Sequence, residues 1–133
     1  MVALTQDRDT HQRQKIQFND PVAAAVKIFA GGIVMLDASG NATPGAVSTT
    51  LTPRGVANEQ VDNSGGAAGD LSITSEKGTF KFANDGTITR ADIGATAWVV
   101  DDQTVADNNG ASTRSALGEI KDIDADGVWV EII

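Results

Sequence analysis

The stretch ALGEIKDIDADGVWVEII, residues 116–133, constrains the fold more than any other. Two apolar runs, Leu117–Ile123 and Val128–Ile133, flank Asp-Ala-Asp-Gly. In the second run Val128, Val130 and Ile132 share one face, while Trp129 and Glu131 share the other. Side chains alternate with period two only along a strand, and a short Asp/Gly segment between two such runs is a hairpin signal. The sequence therefore predicts an antiparallel hairpin turning at Asp124–Gly127. Gly127 is expected at a backbone angle that Ala tolerates poorly.

The rest of the chain repeats that texture. Short apolar runs are punctuated by Gly, Asn, Asp and Ser, and no segment sustains a helical period. Strands are expected near Ala25–Phe29 and Ile33–Asp37 on either side of Gly31-Gly32, near Gly55–Glu59, and around Trp98–Val100. DASGNATPG reads as a turn, and VDNSGGAAGD and ADNNGASTRS as loops. LSITSEKGTFKFAND reads as a hairpin about Glu76-Lys77-Gly78, because Leu71, Ile73, Phe80 and Phe82 alternate with polar residues. One helical turn is expected at Thr89–Gly94, with Thr89 as N-cap and Gly94 as stop. Closely spaced short strands predict an all-β, single-domain barrel or sandwich over residues 21–133. Aromatics make up only 5% of the chain, so its core must be built from small aliphatic side chains.

Residues 1–20 differ. They are polar, without strand or helix periodicity, and read as an extended arm that is disordered or held by another chain. The arm balances Arg8, Arg13 and Lys15 against Asp7, Asp9 and Asp20, so the whole net charge of −8 falls on residues 21–133. An acidic body with no basic stripe is repelled by phosphate backbones, which argues against direct nucleic-acid binding. The arm contains no apolar core of signal-peptide length, and no apolar run approaches a membrane span. A soluble protein made in the cytoplasm is expected.

Motifs for chemistry are sparse. With no Cys there is no disulfide, thiolate nucleophile or Cys-based zinc site. No phosphate-binding G-x-x-x-x-G-K-[ST] occurs. His11, the one histidine, lies in the arm, away from any packed triad. Asp101 and Asp102 are adjacent, so on a strand they point to opposite faces. Asp122, Asp124, Asp126 and Gly127 begin like an EF-hand calcium loop, whose twelfth position must be a bidentate Glu. Here that position is Ile133, and the residues after Gly127 alternate as a strand rather than a helix. The acidic run reads as turn chemistry. The expectation is a protein that is not an enzyme, with no catalytic, metal or cofactor site. Trp98 is expected in the core. Trp129, opposite the apolar face of its strand, is a candidate interface residue.

The order of segments carries a resemblance. ALTQDRDTHQRQ, PVAAAVKIFAGGIVMLDASGNATPG, RGVANEQVDNSGGA, KGTFKFAN, ITRADIGATAWVVDDQTV and GASTRSALGEIKDIDADGVWVEI together resemble the capsid decoration, or head cement, proteins of tailed bacteriophages and Mu-like prophages. The resemblance spans nearly the whole chain and rests on order and spacing, since none of these motifs is catalytic. Some members of that family carry a recombinase label, which the missing phosphate loop argues against here. The resemblance implies a structural virion protein on the outer head surface. It would bind the major capsid protein lattice and stabilise the head, with a homotrimer favoured by analogy. Leu4, Thr5, Arg8, Thr10 and Arg13 of the arm, with Trp129, are the expected partner or oligomer contacts. A rival reading is a secreted calcium-stabilised β-sandwich binding module, suggested by the clustered aspartates.

Overall fold

The computed structural model describes residues 2–8 and 16–132, and it is all-β. Ten of the twelve strands among the described residues form two principal layers. The first is a five-stranded sheet of β1 (Gln17–Pro21), β7 (Ser72–Glu76), β5 (Thr52–Ala57), β3 (Ile33–Leu36) and β4 (Ala42–Pro44), in that spatial order. The second is a closed barrel of β10 (Thr104–Ala106), β8 (Thr79–Asn84), β12 (Gly127–Glu131), β11 (Ala116–Asp124) and β9 (Thr96–Val99). A small ladder pairs β2 (Lys27–Ile28) with β6 (Val61–Asp62).

Alternation along β3 explains how the layers meet. Ile33 and Met35 join the barrel's core with Val56, Phe82, Val99, Val105, Ile120, Val128 and Val130. Val34, between them, enters a second core with Val22, Ile28, Ala42, Ala57 and Ile73. A strand buried on both faces needs apolar residues at consecutive positions, and "IVM" supplies them. Each fully buried aliphatic side chain contributes about 1.5–3 kcal/mol of burial.

The C-terminal hairpin forms as the sequence predicts: β11 and β12 pair antiparallel, with Asp124 opposite Gly127 and a register shift between Ile120 and Asp122. Val128, Val130 and Ile132 are buried. The reason for glycine differs from the expectation. Gly127 is not among the residues with positive φ. It is needed because a Cβ there would lie 2.8 Å from the Phe82 carbonyl oxygen and 2.8 Å from Lys81 Cγ of neighbouring β8. The turn at Thr89–Gly94 is also present, as a 3-10 turn over Arg90–Asp92. The Asp92 carboxylate accepts the Thr89 N–H at 2.8 Å, and Gly94 has φ +93°.

Three expectations require correction. The two strands of 71–84 exist, but they do not form a hairpin: β7 pairs with β1 and β5, whereas β8 pairs with β12 and β10. Lys77-Gly78 is a crossing between layers. The Lys77 N–H donates to the Ile16 carbonyl in the sheet, and the Gly78 carbonyl accepts from the Ile132 N–H beside the barrel. Period two reports which face is buried, not which strand is the neighbour. Second, β1 lies across the boundary expected between arm and domain. Its polar string QFND hides an Asp20 that is buried against Arg54, and a paired charge gives no hydrophobic signal. Third, Trp98 is half-buried and faces outward from β9, since Ala97 and Val99 occupy the inward positions. The segment after Trp98 also holds a strand beyond those expected from the sequence: β10 reverses onto β9 and pairs parallel with β8, closing the barrel.

The 61–70 segment is tied down rather than loose. The buried Asn63 amide donates to the carbonyls of Ala23 at 2.9 Å and Ala67 at 3.0 Å, with that of Val22 at 3.4 Å. Asp70 accepts the Ala67 N–H at 2.9 Å.

Candidate interaction surface

Two surfaces emerge from the residues singled out above, and the structure does not bring them together. The first is the arm. Residues 2–8 form no strand and are exposed throughout, including the apolar Val2 and Leu4 and the candidate contacts Thr5 and Arg8. Exposed apolar side chains at a two-residue spacing form one face of an extended segment. Thr10, Arg13 and His11 lie outside the described residues.

The second surrounds Trp129 on the outer face of the barrel. Its neighbours on the ladder are Lys81 of β8 and Asp122 of β11. The indole N–H donates to Asp124 at 2.8 Å, and Lys81 Nζ stands 5.9 Å from the ring centroid. Lys81 in turn contacts Asp126 at 2.6 Å and Asp124 at 3.5 Å. The hydrogen bond to Asp126 raises the Lys81 pKa, and the same bond lowers that of Asp126. Trp129 is therefore held in one orientation at 36% exposure, with its ring edge fixed and part of its face available. Pre-set aromatic side chains suit a contact surface because little rotamer freedom remains to be lost on binding.

Asp124 and Asp126 thus converge on the Lys81 ammonium, while Asp122 accepts the Ile123 N–H and stands 3.6 Å from the Arg90 guanidinium. Among the described residues no group of three or more His, Asp or Glu is arranged to hold a metal ion. Asp101 and Asp102 do not converge either. Asp101 Oδ1 accepts the Gln103 N–H at 2.9 Å, and the Asp102 carbonyl accepts the Ile33 N–H at 2.8 Å. Both residues make the β9–β10 reversal. Elsewhere, aspartates serve their own loops. Asp62 accepts the Ser64 hydroxyl and N–H, which lower its pKa, and Asp107 is lowered by the Asn108 amide and then by Thr87.

Sequence reasoning missed a third feature, the surface around Phe18. The Arg54 guanidinium lies 3.5 Å from the Phe18 ring centroid while binding Asp20 through two bonds of 2.9 and 3.0 Å. Gln17, Phe18, Asn19, Arg54 and Thr74 line a shallow groove beside β1. Arg and Asp thirty-four residues apart give no local signal. The hint in the sequence was an aromatic residue in an otherwise polar string. No helix among the described residues is long and apolar enough to cross a membrane. Comparison with protein-family models, with curated proteins and with solved structures returned no match.

Proposed function

We propose that this protein is a structural decoration protein of a bacteriophage or prophage head. It binds the outer surface of the major capsid protein lattice and reinforces it. The observation that carries the reading is the pairing of an exposed, strandless arm, residues 2–8, with an acidic all-β body. An extended segment with exposed backbone can add a strand to a neighbouring sheet, gaining main-chain hydrogen bonds it lacks alone. Ordering it costs about 1–2 kcal/mol per residue, so it docks only where many bonds are supplied together. The acidic body disfavours packaged DNA and suits an outward-facing position. The resemblance in segment order adds the capsid as the partner and a trimer as the oligomeric form.

The test is co-sedimentation of the purified protein with heads assembled from the major capsid protein of the phage or prophage that encodes it. Saturable binding is expected, together with increased resistance of the heads to heat or chelator. Removal of residues 2–8 is expected to weaken binding while leaving the melting temperature of the free protein nearly unchanged. Failure of the full-length chain to bind these heads would overturn the proposal. Calcium-dependent stabilisation of the free protein would favour the calcium-module alternative.

A further inference from the structure

Among the described residues the first sheet is open along part of one edge, and the hydrogen-bond pattern says which groups stand there. In an antiparallel pair, bonded residues alternate with residues whose N–H and C=O point the other way. The Lys77 N–H donates to the Ile16 carbonyl at 3.0 Å and the Val22 N–H donates to the Leu71 carbonyl at 2.9 Å. With Phe18 opposite Ser75 and Asp20 opposite Ile73, it is Ile16, Phe18, Asp20 and Val22 that turn toward β7. The other neighbour of β7 agrees: the Asn58 N–H donates to the Thr74 carbonyl, so Thr74 and Glu76 turn toward β5. Gln17 and Asn19 therefore direct both backbone groups outward, and both residues are exposed. Beyond them the edge closes. Pro21 has no N–H, and Val22 bridges Ala42 of β4. The open window is Gln17–Asn19.

We propose that two copies of this chain associate through this window, antiparallel, with Gln17 of each copy opposite Asn19 of the other and a twofold axis through Phe18. This register pairs every outward donor and acceptor of the window. Setting Gln17 opposite Gln17 leaves Asn19 without a partner inside the window. Setting Asn19 opposite Asn19 brings in Pro21, which lacks a donor and adjoins the edge that β4 already closes.

Charge selects the same place. Each copy carries −8, so contact is least opposed where the surface is neutral. Gln17 and Asn19 are uncharged, and Asp20 is paired with Arg54. The outer barrel face, by contrast, presents Asp122, Asp124 and Asp126. No like charges stand opposite each other in the proposed register, and the Gln17 and Asn19 amides can bond across it. The contact is closed, because the twofold register uses the same window on both copies and leaves none of it to pair with a third. It is separate from a threefold assembly, which it would join in pairs, and it does not rest on capsid binding.

The test uses the whole chain without capsid. Sedimentation over a concentration series is expected to show an even-numbered assembly. The double variant Q17K/N19K places Lys opposite Lys and is expected to weaken association at least about tenfold, as is Q17E/N19E. An equimolar mixture of the two is expected to restore it. Because β7 bonds are untouched, both variants should fold. Independently of them, the Gln17 and Asn19 amides of the parent should exchange hydrogen quickly when dilute and slowly when concentrated. A parent that stays monomeric, an assembly indifferent to both variants, a mixture that fails to reassociate, or exchange independent of concentration would each overturn the proposal.

Discussion

The barrel and the five-stranded sheet are built from the same materials and solve the edge problem differently. The barrel returns β10 onto β8, so every strand has two neighbours. The sheet curls until Val22 meets Ala42, but among the described residues nothing pairs with the outer side of Gln17–Asn19. The barrel's core is large and ringed by backbone, whereas the second core is a small cluster behind the sheet. The difference teaches where each region can give. A closed ring cannot relax without breaking a ladder, whereas an open sheet can shift its outer strand.

Substituting equivalent isoleucines tests this most strongly. Ile120 and Ile73 are both fully buried, one in each core. Each change to Ala is expected to cost about 2–5 kcal/mol, with the spread set by how far the surroundings collapse into the void. Ile120→Ala should fall near the top of that range and Ile73→Ala near the bottom, measured by urea unfolding. Equal losses would show that the open edge gives the sheet no extra freedom.

Asn63 sharpens the comparison from the sheet side, because a polar side chain does there what apolar packing does in the barrel. Asn63→Ala strands the carbonyl of buried Ala23 and removes the bond to the carbonyl of exposed Ala67, and a loss of about 1–3 kcal/mol is expected. Faster hydrogen exchange confined to residues 61–70 should accompany it. Uniform acceleration through the barrel would show that the loop is integral to the whole fold.

These two regions were unequally legible. The β11–β12 hairpin was read correctly because its pattern and its pairing are both local. The sheet was read poorly because its information is distributed. β1 looked like part of a polar arm, since Asp20 is buried only with Arg54, which arrives from β5. The partners of β7 and β8 were invisible for the same reason: Lys77-Gly78 resembles a turn but carries the chain between layers. Of the candidate contacts, Leu4, Thr5 and Arg8 are exposed, and Trp129 faces outward as its strand position required. The lysine that pins Trp129 comes from another strand and could not be foreseen.

Gly127→Ala probes the barrel where β12 passes close to β8. The new Cβ would press on the Phe82 carbonyl, which the ladder holds, and on Lys81 Cγ, which can swing away. An expected cost of about 1–3 kcal/mol follows from overpacking. Gly94→Ala, at φ +93° with open space around its Cβ, should cost about 1 kcal/mol for backbone strain alone. Thermal melting of both variants separates the two causes, because K81A should relieve part of the Gly127→Ala loss and none of the Gly94→Ala loss.

The smallest effect belongs to the acidic turn, and it also decides how Asp124 and Asp126 are to be understood. Removing both charges with D124N/D126N keeps the local bonding of the turn, since Asn shares it with Asp. From sequence alone, fewer negative charges should leave stability unchanged or slightly raised. The structure adds an opposing contribution, because Lys81 loses both partners. An exposed pair contributes little, so the net change should be small near neutral pH. Its pH dependence is the informative part. The Asp126 pKa is lowered in the folded state, so its contribution is complete above the unfolded aspartate value of about 3.9 and fades as pH falls through the lower folded value. The Lys81 pKa is raised, so its contribution is complete below about 10.4 and fades as pH rises through the higher folded value. The difference in melting temperature between parent and variant should therefore be flat between those limits and shift at both ends. Adding calcium or chelator should move neither protein. A calcium-dependent rise in the parent that vanishes in D124N/D126N would mean that a cation displaces Lys81, and the segment would then have to be read as a metal site after all.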